Sequence, residues 1–115
     1  MEYSSAHRLA ADIRASEEYI TYHNLKDEVL ADETTAALIK EYRKLQMSLQ
    51  MAAMTGQQAD PTDMQRFQGI NTVLFTKPEV SQFMLAEMRL QQAVADIFKI
   101  VTDAAGLDMQ LPGMD

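Results

Sequence analysis

The chain has 115 residues, with 17 Asp and Glu against 10 Lys and Arg, no cysteine, and a net charge of −7. That length suits one domain with its own core, and 47% hydrophobic residues argue against wholesale disorder. The acidic balance disfavours a phosphate-binding surface and so direct nucleic-acid binding; the missing cysteines exclude disulfides, thiolate metal sites and thiol catalysis.

No basic stripe hides within the acidic total. Residues 1–31 carry three Lys or Arg against six Asp or Glu, 32–59 three against three, and 60–115 four against eight. The opening Met1-Glu2-Tyr3-Ser4-Ser5 has neither a basic nor an apolar leader region, so no signal peptide is expected. No run approaches the roughly 20 apolar residues of a membrane span. A cytoplasmic protein is expected.

Three prolines and four glycines, with few β-branched runs, predict an all-α fold. Short connections make it an antiparallel bundle of about four helices, with long first and last members, in a single domain over 1–106. The first helix is expected from Ser4 to Leu30. Leu9, Ile13, Ser16, Ile20, His23 and Asp27 fall near one meridian of it, close to a heptad seam. Asp32 then caps a second helix running to about Met54, with Glu33 in its first turn favouring the helix dipole. Its inward stripe reads Leu38, Tyr42, Leu45, Leu49 and Ala52.

Gly56-Gln57-Gln58-Ala59 is a loop. Asp60-Pro61 starts the third helix, an acidic N-cap before a proline at the first helical position. This helix runs to about Phe75 and presents Met64, Phe67, Ile70 and Leu74. Gly69 inside it marks either a close helix–helix approach or a weak point. Thr76-Lys77-Pro78-Glu79 breaks the chain, and Gly106 is placed to end the last helix in a left-handed cap after Ala105. Residues 107–115, with Pro112-Gly113, read as a loose tail.

The last helix is too apolar for one neighbour. Val80, Phe83, Met84, Met88, Leu90, Val94, Ile97, Phe98 and Val101 spread over roughly half its circumference at about 100° per residue. A helix packed on one core shows a stripe little more than 100° wide. The surplus points to a second chain or partner. Glu87 and Gln91 lie near the centre of that face, where a carboxylate needs a partner. The structural reading has Glu87 meeting a cation or helix N-terminus and fixing register in an oligomer. The functional reading has it contacting a partner protein or shifting its pKa for acid–base work, the latter disfavoured because no second acid or His lies near it in sequence.

Met47, Met51 and Met54 form a stripe on the second helix opposite Leu38, Leu45 and Leu49. The preceding turns of the same back face carry Lys40, Arg43 and Lys44 and read as solvated. Methionine suits adaptable contact surfaces, so a subunit or partner interface is expected, with plain core next. Thioethers alone could select Cu(I), but no His or Cys supports such a site. The interface candidates are therefore Met47, Met51, Met54, Phe83, Glu87, Leu90, Gln91 and Val94. His23 and Asp27, four apart, read as a satisfied polar pair. No nucleophile with a base, no Glu-x-x-His pair and no Gly-rich phosphate loop is visible, so no enzyme, metal or cofactor is expected.

One pattern is more specific. Phe67 with Ile70 and Leu74, the Lys77-Pro78-Glu79-Val80 break, and Phe83-Met84-Leu85-Ala86-Glu87-Met88-Arg89-Leu90-Gln91 resemble the YlbF/YmcA-like family of bacterial regulators. Ile13-Arg14-Ala15-Ser16-Glu17-Glu18-Tyr19 and Asp32-Glu33 are similar too, so the resemblance runs from about residue 5 to 106. It implies an all-helical, oligomeric cytoplasmic protein of the kind found in Gram-positive bacteria. Better-known members of the family influence competence, sporulation and biofilm formation, in a multi-protein complex linked to ribonuclease-dependent mRNA maturation. Some hold iron–sulfur clusters through cysteines, a role this cysteine-free chain has no ligands for.

The expectation is thus a non-enzymatic regulatory or adaptor protein. It would pair with copies of itself, as a dimer or higher, and with other regulator proteins, through burial of apolar helix faces. The alternative is a helical sensor of a small molecule or metal, with a pocket between helices.

Overall fold

A computed structural model of the chain describes residues 1–107. Among them there are five α-helices and no strand: α1 (Ser4–Arg14), α2 (Glu17–Leu30), α3 (Glu33–Thr55), α4 (Pro61–Leu74) and α5 (Pro78–Ala105). The fold is all-α. Residues 108–115 of the expected tail lie outside the described residues.

The expected first helix is two helices. Ser16 breaks it: its backbone N–H donates to the Ile13 carbonyl, and its hydroxyl donates to that same oxygen at 2.6 Å. The hydroxyl also accepts from the Tyr19 N–H at 3.2 Å. Serine therefore closes α1 and caps α2, leaving Glu17 and Glu18 in the first turn, where carboxylates complement the helix dipole. The heptad seam expected over Ser4–Leu30 is interrupted by this break, and two of its members, Ile20 and Asp27, are exposed.

The other ends fall where local chemistry puts them. Asp32 caps α3 by accepting from the Thr34 N–H, and Asp60 caps α4 by accepting from the Thr62 N–H at 2.9 Å, with Pro61 at the first turn. Gly56 and Gly106 take φ of 74° and 70° just past α3 and α5. At Gly106 the Leu107 N–H reaches the Thr102 carbonyl and the Gly106 N–H reaches Asp103, the paired bonds of a Schellman motif.

The chain divides into two compact units. The mid-chain unit, Leu25–Phe83, holds the end of α2, all of α3 and α4, and the start of α5. Val29, Ile39, Leu45, Leu74, Val80 and Phe83 form its core, each 6% exposed or less. Helices α3 and α4 pack antiparallel. Tyr42 stacks on Phe67 with ring centroids 4.9 Å apart, Glu41 pairs with Arg66, and Thr35, further back on α3, meets Lys77 beyond the end of α4. The inward stripe of α3 is turned from the expected one. Ile39 and Thr35 are buried with Leu45, whereas Leu38, Tyr42, Leu49 and Ala52 are half-buried. On α4 the expected inward Met64 is exposed.

Thr35 is the buried polar group of this unit, and a chain of bonds satisfies it. Lys77 Nζ donates to its hydroxyl at 3.1 Å, and the hydroxyl donates to Asp32 at 2.7 Å. Those bonds join the cap of α3 to the turn before α5.

The terminal unit combines residues 1–24 with the chain from Met84 onward. It is more open: α1 has no buried residue, and on α5 Ala86 and Thr102 are buried. Leu9 and Ile13 of α1 are half-buried, as are Leu90, Ile97 and Phe98 of α5.

Candidate interaction surface

Two surfaces stand out, one in each unit. In the mid-chain unit, the turns of α3 that face away from Ile39 and Leu45 carry Met47, Met51 and Met54, which are 64%, 59% and 86% exposed. The i, i+4, i+7 spacing stacks them on one face. Lys40 and Lys44 precede them on the same face and are also exposed. Arg43 is exposed too, with its guanidinium 5.8 Å from the Phe83 ring centroid, within cation–π range.

Phe83 itself is 2% exposed. It is part of the core of its own unit and so offers almost no surface to a second chain. The remaining candidates belong to the terminal unit. Glu87 and Leu90 are half-buried, Gln91 is exposed, and Val94 is 41% exposed. Glu87 is not without a partner. The structure therefore groups Met47, Met51 and Met54 on one surface, and Leu90 with Val94 on another.

That second surface is a cleft of about 150 Å³ between α1 and α5. Leu9 and Ile13 form one wall, and Leu90, Val94 and Ile97 the other. The charged side chains lining it are two carboxylates, Asp12 from the last turn of α1 and Glu18 from the first turn of α2. Leu9 and Ile13 were visible in the sequence as seam residues, but nothing local marked them as the opposite wall to Leu90. Leu85, Met88 and Ile100 are exposed by 46%, 64% and 68%, further apolar surface of α5 that the candidates omitted.

His23 lies against Tyr19 and Tyr22, with ring centroids 4.1 and 5.0 Å away. Among the described residues no hydrogen bond or ion pair joins it to Asp27, so the polar pair expected from spacing is replaced by an aromatic cluster. A Cβ added at Gly69 meets nothing within 4 Å, which excludes the close helix approach considered for it. Among the described residues no group of three or more His, Cys, Asp or Glu is placed to hold a metal ion. No helix among them is long and apolar enough to cross a membrane.

Residues 3–104 match the protein family described as control of competence regulator ComK, YlbF/YmcA. A UPF0342 protein of Bacillus pumilus is 33% identical over 99 residues, covering 86% of this chain and 84% of that protein. The UPF0342 protein YheA of Bacillus subtilis is 30% identical over 99 residues, covering 86% and 85%. A solved structure described as a protein of unknown function (DUF964) from Bacillus stearothermophilus superposes with a TM-score of 0.71. It covers 90% of this chain and 91% of that one at 21% identity, a likeness of fold.

Proposed function

The chain belongs to the YlbF/YmcA family, and from that premise we propose that it is a non-enzymatic regulatory or adaptor protein of the bacterial cytoplasm. It works through helix-mediated contacts, with copies of itself and with other regulator proteins of the process it controls. The description of its family supports a place in competence-type regulation.

The observation that carries the reading is the row of Met47, Met51 and Met54, all more than half exposed on one face of α3. Aligned exposed methionines form an adaptable apolar surface, and such contiguous surfaces mark interaction sites. The α1–α5 cleft adds a second apolar surface. At about 150 Å³ it is smaller than the roughly 300–1,000 Å³ of ligand pockets, which weighs against a small-molecule sensor at that place.

The test is the mass of the purified protein by light scattering, with a tagged pull-down from the native cell identified by mass spectrometry. A mass of two chains or more, or stoichiometric regulator proteins in the pull-down, is expected. A single-chain mass together with an empty pull-down would overturn the reading.

A further inference from the structure

We propose that the α1–α5 cleft of one copy receives the methionine face of α3 from a second copy of this chain. The inference rests on the self-association proposed above and names the two surfaces that meet. The cleft is apolar along its walls, at Leu9, Ile13, Leu90 and Val94, and its charged lining is the carboxylates Asp12 and Glu18. Among the described residues neither acid is in a salt bridge, and neither is Lys40 or Lys44. The α3 face has the complementary composition: Met47, Met51 and Met54 exposed, with Lys40 and Lys44 one to two turns before them.

Charge and length both fit. Residues 1–24 and 84–115 together carry four Lys or Arg against nine Asp or Glu, residues 25–83 carry six against eight, and the cations on the methionine face of α3 are Lys40 and Lys44. Opposite charges at the rim of an apolar contact set register and suppress wrong pairings. Leu90 to Ile97 spans two turns of α5, about 10 Å at 1.5 Å per residue, and Met47 to Met54 spans the same rise on α3. Methionine side chains, unbranched and flexible, fill an irregular cleft without demanding a matched shape. Because the two patches differ, the contact closes either by reciprocal exchange within a pair or around a ring.

The absence of native cysteine allows a direct test. Copies carrying Asp12→Cys are co-expressed with copies carrying Met47→Cys and treated with a short bis-maleimide. Cross-linked two-chain species are expected in the mixture and not from either variant alone. Separately, Lys44→Glu should raise the dissociation constant of the assembly by about tenfold, and adding Asp12→Lys with Glu18→Lys should restore it, circular dichroism confirming that each variant is folded. A wild-type mass of one chain would overturn both this proposal and the self-association beneath it. A mass of two or more chains with Asp12→Cys copies linking to each other, or with Lys44→Glu assembling normally, would overturn this contact and leave self-association standing.

Discussion

Ser16, Gly69 and Asp32 each show how one side chain sets a local outcome. The Ser16 hydroxyl bonds both the last turn of α1 and the first turn of α2. Ser16→Ala is expected to cost about 0.5–2 kcal/mol, typical of a lost N-cap, read as a lower urea midpoint; an unchanged midpoint would show that the break does not depend on the cap. Gly69 is exposed within α4, and an added methyl group meets open space. Gly69→Ala should therefore stabilise the protein by about 0.5–1 kcal/mol, since only the backbone-entropy term changes; a lower melting temperature would contradict that. The carboxyl of Asp32 is held below its ordinary value of 3.8, first by the Thr35 hydroxyl and then by the Thr34 N–H and Lys77, against desolvation. A depressed folded pKa contributes stability above the unfolded value and loses it as pH falls through the folded one. Between pH 6 and pH 3 the wild type should lose more of its urea midpoint than Asp32→Asn does. Equal losses would remove Asp32 from the acid sensitivity.

Among the helices, α3 through α5 were legible at their starts because caps are short-range chemistry. Asp32, Asp60-Pro61 and Pro78 announce themselves within four residues, and Gly56 and Gly106 do the same for the ends. The α1–α2 break carried a signal of the same kind, Ser16 followed by Glu17 and Glu18, but the apolar spacing ran across it uninterrupted. Periodicity records which residues share a direction and is blind to one turn of broken backbone. The pairing of α3 with α4 depends on contacts distant in sequence. Tyr42 sits against both Phe67 and Phe75, and Leu74 is fully buried. Leu74→Ala should cost about 2–5 kcal/mol, measured by denaturant unfolding, and a cost under 1 kcal/mol would mean the α3–α4 core is not what holds the mid-chain unit.

For the molecule as a whole, the scarcity of Pro, Gly and β-branched runs and the four-residue punctuation of Asp, Pro and Gly determined an all-α chain, with every helix boundary but the α1–α2 break close to those observed. The family resemblance was also legible, carried by helix-packing patterns around Phe67–Gln91. Which apolar faces became core was decided by the tertiary structure. Phe83 went inside and Met64 stayed out; Ile39 replaced Leu38 at the centre of α3; the Met47–Met54 row remained exposed. If that row is the contact surface, Met51→Glu should lower the mass in light scattering while leaving helical circular dichroism intact. A folded variant of unchanged mass would place self-association elsewhere. The physical reason for the division is range. Caps and breaks are set by bonds within a turn, so neighbouring residues specify them. A helix apolar over half its circumference has several faces of similar hydrophobicity, and only the arrival of distant side chains selects the one removed from water.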